Sequence, residues 1–327
     1  MWKRVRVVAQ IAFGVLAVGF LVWAVVKNWT GVISALAAMN PWLVVLAAAL
    51  ILTGLYVNML SWRSVLASLG AHLTRTQAAT VFFTSQLGKY IPGGIWPVVA
   101  SARLGRAYGL TAIRSVVSMT VALLLSLTVG TVFAISALFL IPVLASQYSL
   151  LIIALLVVGL IALSPPVLNR LIRLGLKILR RDGQLPELGS AAFTRAIGWS
   201  LLSWLCFGLA LFSLISAESS VTWGALLGGI SGYALSWIAG FVAILVPAGV
   251  GVREAVLVLV LGGTLAGPTI FGIALVHRIF MTLGDIVMLA FTRRQRAQIL
   301  AEPETTTGPD ITTDPAEHGY LREQAAE

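Results

Sequence analysis

The segment LVPAGVGVRE, residues 245–254, interrupts an apolar stretch that covers residues 223–265. Its Pro247 removes a backbone hydrogen-bond donor, and two glycines follow within four residues, so a continuous helix is unfavourable at this point. Broken backbone at membrane depth is tolerated only where it is buried in protein or lines a cavity. The sequence therefore predicts that this stretch forms a re-entrant hairpin.

A second interruption, YIPGGI at residues 90–95, lies within the apolar stretch 77–100. Its Pro92 lies 155 residues before Pro247, and the predicted spans around the two breaks have the same arrangement. Two spans precede each hairpin and one follows it, so an odd number of spans between the hairpins inverts the second half. Inverted repeats with broken segments at matching positions are typical of transporters. The alternative, that these Pro-Gly pairs are simple turns between helices, stays open.

The composition of the whole chain is that of a membrane protein. Of the 327 residues, 59% are hydrophobic and 10% are charged. A soluble globular domain has about 25% charged residues, so this class is excluded. The long apolar runs also differ from the alternating segments of about ten residues that build a transmembrane β-barrel. We therefore expect an all-α polytopic membrane protein.

Six apolar stretches approach the ~20 residues that cross a hydrocarbon core of about 30 Å. They are Val7–Val26, Pro41–Leu60, Val116–Ile141, Tyr148–Leu168, Ile197–Ser216 and Thr269–Ala290. The first follows a basic N-terminus, as in a signal peptide, but it is too long for a cleaved signal and no small-x-small site follows it. We expect six full spans and two hairpins. Eight spans stay open as the alternative, if both arms of the second hairpin, 223–246 and 254–265, cross.

Charge is distributed unevenly along the chain. Residues 1–296 carry a formal net charge of +16, and residues 297–327 carry −6. The basic residues cluster in loops on one side of the predicted spans, which places both termini in the cytoplasm. We expect a transmembrane domain over 1–296 in the plasma (inner) membrane, with repeat halves at about 1–141 and 148–296, and a disordered acidic tail over 297–327. Positive loops explain the basic balance, so no nucleic-acid partner is expected.

Three groups of residues resemble a known family. They are GKYIPGG at residues 88–94 with the downstream Arg103, VPAGVGVRE at 246–254, and the pair at 277–278. Together they resemble the lysylphosphatidylglycerol synthase transmembrane-region family, over roughly residues 5–295.

The resemblance implies a flippase-type membrane domain that moves, or helps to move, a lipid or lipid-linked molecule between leaflets. The aminoacyl-lipid synthases of this family carry a large soluble C-terminal domain. In this chain about thirty polar residues follow the last span. The resemblance therefore does not imply lipid aminoacylation.

The candidate substrate-binding residues surround the two breaks and lie in the last span. They are Arg253, Glu254, Gly249, Gly251, Pro247, Lys89, Pro92, Gly93, Gly94, Arg103, His277 and Arg278. In the functional interpretation, Arg253 grips a phosphate oxygen with its planar guanidinium, and Gly249 and Gly251 let backbone N–H groups approach the same anion. The alternative is a surface Arg-Glu pair at a helix start, where Glu254 suits the helix dipole.

The remaining candidates also have two interpretations each. Lys89 either belongs to the site or extends its amine to the membrane interface, and the positive-inside rule alone explains Arg103. In the last span, Arg278 and Asp285 have the i, i+7 spacing of a structural ion pair. His277 is a candidate for proton coupling, because its ordinary pKa suits a switch near neutral pH.

Three functions stay in view. The first is translocation of an anionic phospholipid or a polyprenyl-phosphate-linked lipid. The second is an accessory membrane protein that recruits cytoplasmic lipid or envelope enzymes through the basic loop 170–195 or the acidic tail. The third, an intramembrane lipid-modifying enzyme, lacks a nucleophile or metal set. The chain has no G-x-S-x-G, H-E-x-x-H or P-loop motif, and Cys206 is its single cysteine, so no enzyme activity, cofactor or metal site is expected.

Overall fold

Every regular element among the residues that the computed structural model describes is a helix. The structure describes residues 39–91, 95–141, 144–178, 188–218, 221–243, 249 and 251–292. The first predicted span, the motif residues Pro92, Gly93, Gly94 and Pro247, and the acidic tail lie outside these ranges. The α-helices, in chain order, are α1 (Pro41–Ser68), α2 (Arg75–Gln86), α3 (Trp96–Gly105), α4 (Ala112–Ala134), α5 (Ser149–Leu163), α6 (Pro165–Ile178), α7 (Ser190–Glu218), α8 (Trp223–Val242), α9 (Val252–Leu261) and α10 (Gly267–Phe291).

Within the described ranges, six helices are long and apolar enough to cross a membrane: α1, α4 with a 3-10 extension to Phe139, α5 with the turn before it, α7, α8 and α10. Five of these coincide with predicted spans, so the all-α polytopic fold is confirmed. The remaining predicted span, Val7–Val26, is outside the described residues. The re-entrant hairpins and the inverted repeat stay predictions.

Helix α8 is longer than an arm of a short hairpin. It is continuous over 20 residues, which is about 30 Å and enough to cross a hydrocarbon core. Its partner α9 has 10 residues and is about 15 Å long, half of that thickness. The two arms of the second predicted hairpin are therefore unequal.

The fourth predicted span ends earlier than the hydropathy indicates. The prediction was Tyr148–Leu168 with a break or end at Pro165 and Pro166, and α5 ends at Leu163, just before these prolines. Ser164 is extended, with ψ of 133°, because the following Pro165 disfavours helical backbone before it. The apolar residues after the proline belong to a separate helix, α6.

Helices α1 and α7 form the centre of the bundle and run antiparallel. The N–H of Asn40 donates to the carbonyl of Ala217 at one end (3.2 Å), and the N–H of Gly189 donates to the carbonyl of Ser68 at the other (3.1 Å). Between these ends the Phe207 ring lies where a Cβ on Gly54 would be, at 2.6 Å. Small residues let membrane helices approach closely, and this contact shows that effect.

Glycines also hold α8 against its neighbours. A Cβ at Gly228 would lie 2.6 Å from the Leu261 side chain of α9, and a Cβ at Gly229 would lie 2.7 Å from the backbone of Phe212 in α7. Similarly, a Cβ at Gly88 would lie 2.7 Å from the backbone at the start of α3. Each break is thus flanked by helices in close contact, and these contacts position the polar residues around the breaks.

Candidate functional site

One ion pair joins the turn after α2 to α10. Lys89 and Tyr90 lie in the 3-10 turn Leu87–Tyr90. The Nζ of Lys89 lies 2.6 Å from Oδ2 of Asp285, and the Tyr90 hydroxyl donates to the same oxygen at 2.7 Å. The Asp285 side chain is only 7% exposed, so this carboxylate is held by two donors inside the protein. The pair fixes the first break against the last span.

A second ion pair joins the start of α9 to the middle of α10. Arg278 donates from Nη1 to Oε1 of Glu254 at 2.8 Å. The other carboxylate oxygen, Oε2, accepts from the backbone N–H of Gly251 at 2.6 Å. Gly251 has φ of +82°, which favours glycine. Glu254 caps the start of α9 as one interpretation expected, but it is buried between helices and does not lie on the surface.

Arg253 lies beside this pair in a slot formed by two glycines. Its Nε is buried and has no hydrogen-bond partner among the described residues. A Cβ at Gly240 would lie 2.6 Å from this nitrogen, and a Cβ at Gly249 would lie 3.0 Å from it. Gly249 itself has φ of +69° and touches the backbone of Gly240. The side chain of Arg253 therefore fits only because both neighbours lack a Cβ.

The charges of this cluster do not balance. Lys89 pairs with Asp285, and Arg278 pairs with Glu254. Both carboxylates are thus engaged, and Arg253 has no ion-pair partner among the described residues. An arginine with a buried Nε and no ion-pair partner is costly in a membrane domain, which makes Arg253 a candidate for a functional role. The arrangement is suited to bind one more anionic group.

The cluster lies near the middle of α10. Arg278 is 11 residues from the first residue of this helix and 13 from its last, about 17 Å and 20 Å along the axis. His277 precedes it and is buried, with an Nε2 that has no hydrogen-bond partner in the described part of the chain. The His277 ring lies 5.5 Å from the ring of Tyr233 in α8. The proton-coupling role of His277 stays a prediction.

Arg278 and Asp285, considered as a pair from their i, i+7 spacing, each have an ion-pair partner outside α10. These partners come from different elements, because the two breaks bring Lys89 and Glu254 to positions about two turns apart on α10. Tyr90, Tyr233 and Gly240 also contribute to the cluster and were not among the predicted site residues. A polar aromatic ring in an apolar stretch was the available signal for the tyrosines, and no signal marked Gly240.

The predicted site residues thus divide into three groups. The structure brings together Arg253, Glu254, Gly249, Gly251, Lys89, His277 and Arg278 around α10. Arg103 is exposed in the last turn of α3. Pro92, Gly93, Gly94 and Pro247 are outside the described residues.

Two other features of the described residues bear on chemistry. No group of three or more His, Cys, Asp or Glu side chains is placed to hold a metal ion in these ranges.

A cavity of about 440 Å³, separate from the ion pairs, lies between α4, α5 and α7. Its walls are mostly apolar, with Leu125, Val129 and Phe193 among them. The cavity suits an apolar chain better than a polar ligand.

Span-length apolar helices with ion pairs buried between them define a polytopic membrane protein. Residues 7–288 match the family model of the lysylphosphatidylglycerol synthase TM region, and the chain belongs to this family. The match extends from the first predicted span into α10 and includes every residue of the cluster. The family indicates a membrane protein involved in lipid handling. No curated protein matches the chain.

Proposed function

We propose that the protein translocates an anionic lipid or lipid-linked molecule between the leaflets of the plasma membrane, and that Arg253 binds its phosphate. The observation that carries the proposal is the buried Arg253 Nε without a partner among the described residues, beside two completed ion pairs. The family supports lipid handling, and the site supports an anionic headgroup.

The chemistry of the guanidinium favours phosphate as the ligand. Arginine presents a planar fork of donors that matches two phosphate oxygens, and it keeps its charge when buried. Since Glu254 and Asp285 are engaged by other donors, a phosphate does not have to displace a protein carboxylate. Phosphatidylglycerol and polyprenyl phosphates share this group, so the proposal covers both classes.

Exchange of the ion-pair partners would expose the site first to one side of the membrane and then to the other. Both of them connect α10 to the breaks, one to the turn after α2 and the other to the start of α9. Movement of one break relative to α10 exchanges these partners and leaves the rest of the bundle packed. In this mechanism the residues bind and position the lipid, and no bond is made or broken.

The test is leaflet translocation in proteoliposomes. Three labelled lipids are offered: phosphatidylglycerol, phosphatidylcholine and a polyprenyl phosphate. We expect the wild-type protein to move at least one anionic lipid faster than phosphatidylcholine. Arg253→Gln is expected to reduce that rate at least about tenfold, since a charged hydrogen bond contributes ~1.5–3 kcal/mol.

The matched control is Arg106→Gln, which removes an exposed arginine outside the cluster. It is expected to keep the wild-type rate, and thermal unfolding of each variant verifies that it is folded. Folded Arg253→Gln that moves the lipid at the wild-type rate would contradict the role of Arg253. Folded wild-type protein that moves none of the three lipids would contradict the function.

A further inference from the structure

Helix α6 has two chemically different faces. Arg170, Arg173 and Lys177 have i, i+3 and i+7 spacing, which places them on one side of the helix. Leu168 and Leu171 lie on the other side. The helix contains no aspartate or glutamate. It is a basic amphipathic helix.

The apolar face of α6 packs against the bundle along one edge and is exposed along the other. Leu168 is 1% exposed, and Ile172 packs against the hydrophobic core. Leu171, on the apolar face, is 45% exposed, and Leu174, at the boundary between the apolar and the basic side, is 54% exposed. One edge therefore anchors the helix to the bundle, while the other presents leucines beside the basic side chains.

The position of α6 brings these leucines to a membrane surface. The helix begins two residues after α5 ends at Leu163, and α5 is a span-length apolar helix. Its three basic side chains are exposed. A helix with basic residues on one face and leucines on the other binds in the interface, with the leucines among the acyl chains. Basic residues there attract anionic headgroups.

We propose that α6 lies in the membrane interface and is a binding surface for anionic phospholipids. Leu171 and Leu174 insert among the acyl chains, while Arg170, Arg173 and Lys177 hold the headgroups. This surface is separate from the Arg253 site, and it does not depend on lipid translocation. It recruits anionic lipid to the edge of the bundle at the end of α5.

The experiment measures the depth of α6 in reconstituted full-length protein. Cys206 is the single cysteine, so Cys206→Ala with Leu174→Cys gives one attachment site for a nitroxide label. Collisions of the label with oxygen and with a water-soluble nickel chelate report depth. A label at Leu155→Cys, on an exposed position within α5, provides the hydrocarbon reference.

In vesicles of phosphatidylcholine with phosphatidylglycerol, we expect the Leu174→Cys label to favour oxygen over the chelate. In phosphatidylcholine alone, it should shift toward the aqueous phase. The combined variant Arg170→Gln, Arg173→Gln and Lys177→Gln is expected to lose this dependence on composition. The proposal is overturned if the label has aqueous exposure in both vesicles, if depth does not depend on phosphatidylglycerol, or if the label is shielded from both reagents, as in a protein contact.

Discussion

At the scale of single residues, the slot around Arg253 depends on the absence of side chains. Gly240 and Gly249 touch through their backbones, and the arginine fills the space where their Cβ atoms would be. The sequence predicted Gly249 and Gly251 as sources of backbone N–H groups for an anion. In the structure the Gly251 N–H donates to Glu254, and Gly249 provides space. The residue types near the second break were predictable from the sequence. Their contacts were not, because these contacts involve Gly240 of α8.

Replacing Gly240 by alanine tests this slot. The new Cβ would lie 2.6 Å from the Arg253 Nε, so the arginine side chain must move. We expect Gly240→Ala to lower lipid translocation to near the level of Arg253→Gln, while overpacking costs about 1–3 kcal/mol of folding free energy. Translocation in proteoliposomes and thermal unfolding measure the two effects.

Gly198→Ala is the matched control for Gly240→Ala. Gly198 lies in α7 with nothing within 4 Å of its Cβ position, so alanine meets no obstacle. Its higher helix propensity is expected to raise stability by up to about 1 kcal/mol and to leave translocation unchanged. Equal translocation by both folded variants would show that the slot has no role in transport.

At the scale of elements, the two breaks are linked to α10 by ion pairs. The sequence identified most of the charged residues that take part, because ionisable groups are rare in apolar stretches. It did not identify their partners. Lys89 and Asp285 are 196 residues apart along the chain, and only the packing of α2 against α10 brings them together. Spacing within one helix suggested Arg278 as the partner of Asp285, and it gave no sign of Lys89.

The Lys89–Asp285 pair predicts non-additive stability effects. Lys89→Met removes one of two donors to a buried carboxylate, and we expect a loss of about 1–2 kcal/mol because a third of the lysine side chain is exposed. Asp285→Asn is expected to cost a similar amount. The double variant should cost less than the sum, since neither charge remains unpaired. Thermal unfolding measures all three, and additive costs would contradict the coupling.

At the scale of the whole molecule, the ion pairs show which part of α10 lies level with each break. Glu254 at the start of α9 contacts Arg278 near the middle of α10, and the end of α8 lies beside Arg253. Hydropathy alone predicted five of the observed spans, because burial in lipid requires apolar residues over the whole length. It could not distinguish whether α8 crosses, because length and composition allow both arrangements. A re-entrant second hairpin predicts that the end of α8 lies inside the membrane, at the level of Arg278.

This depth is testable with cysteines in the Cys206→Ala background. Val221 and His72 are exposed at the predicted outer and cytoplasmic ends of the bundle, and Val242 is exposed at the end of α8. A membrane-impermeant maleimide is expected to label Val221→Cys in intact cells and His72→Cys after permeabilisation. Val242→Cys should stay unlabelled in both conditions if the second hairpin is re-entrant, because an exposed side chain at the level of Arg278 then faces acyl chains, where the reagent does not reach it. Labelling of Val242→Cys from the cytoplasmic side would instead show that α8 crosses the membrane, and the second hairpin would then be two spans.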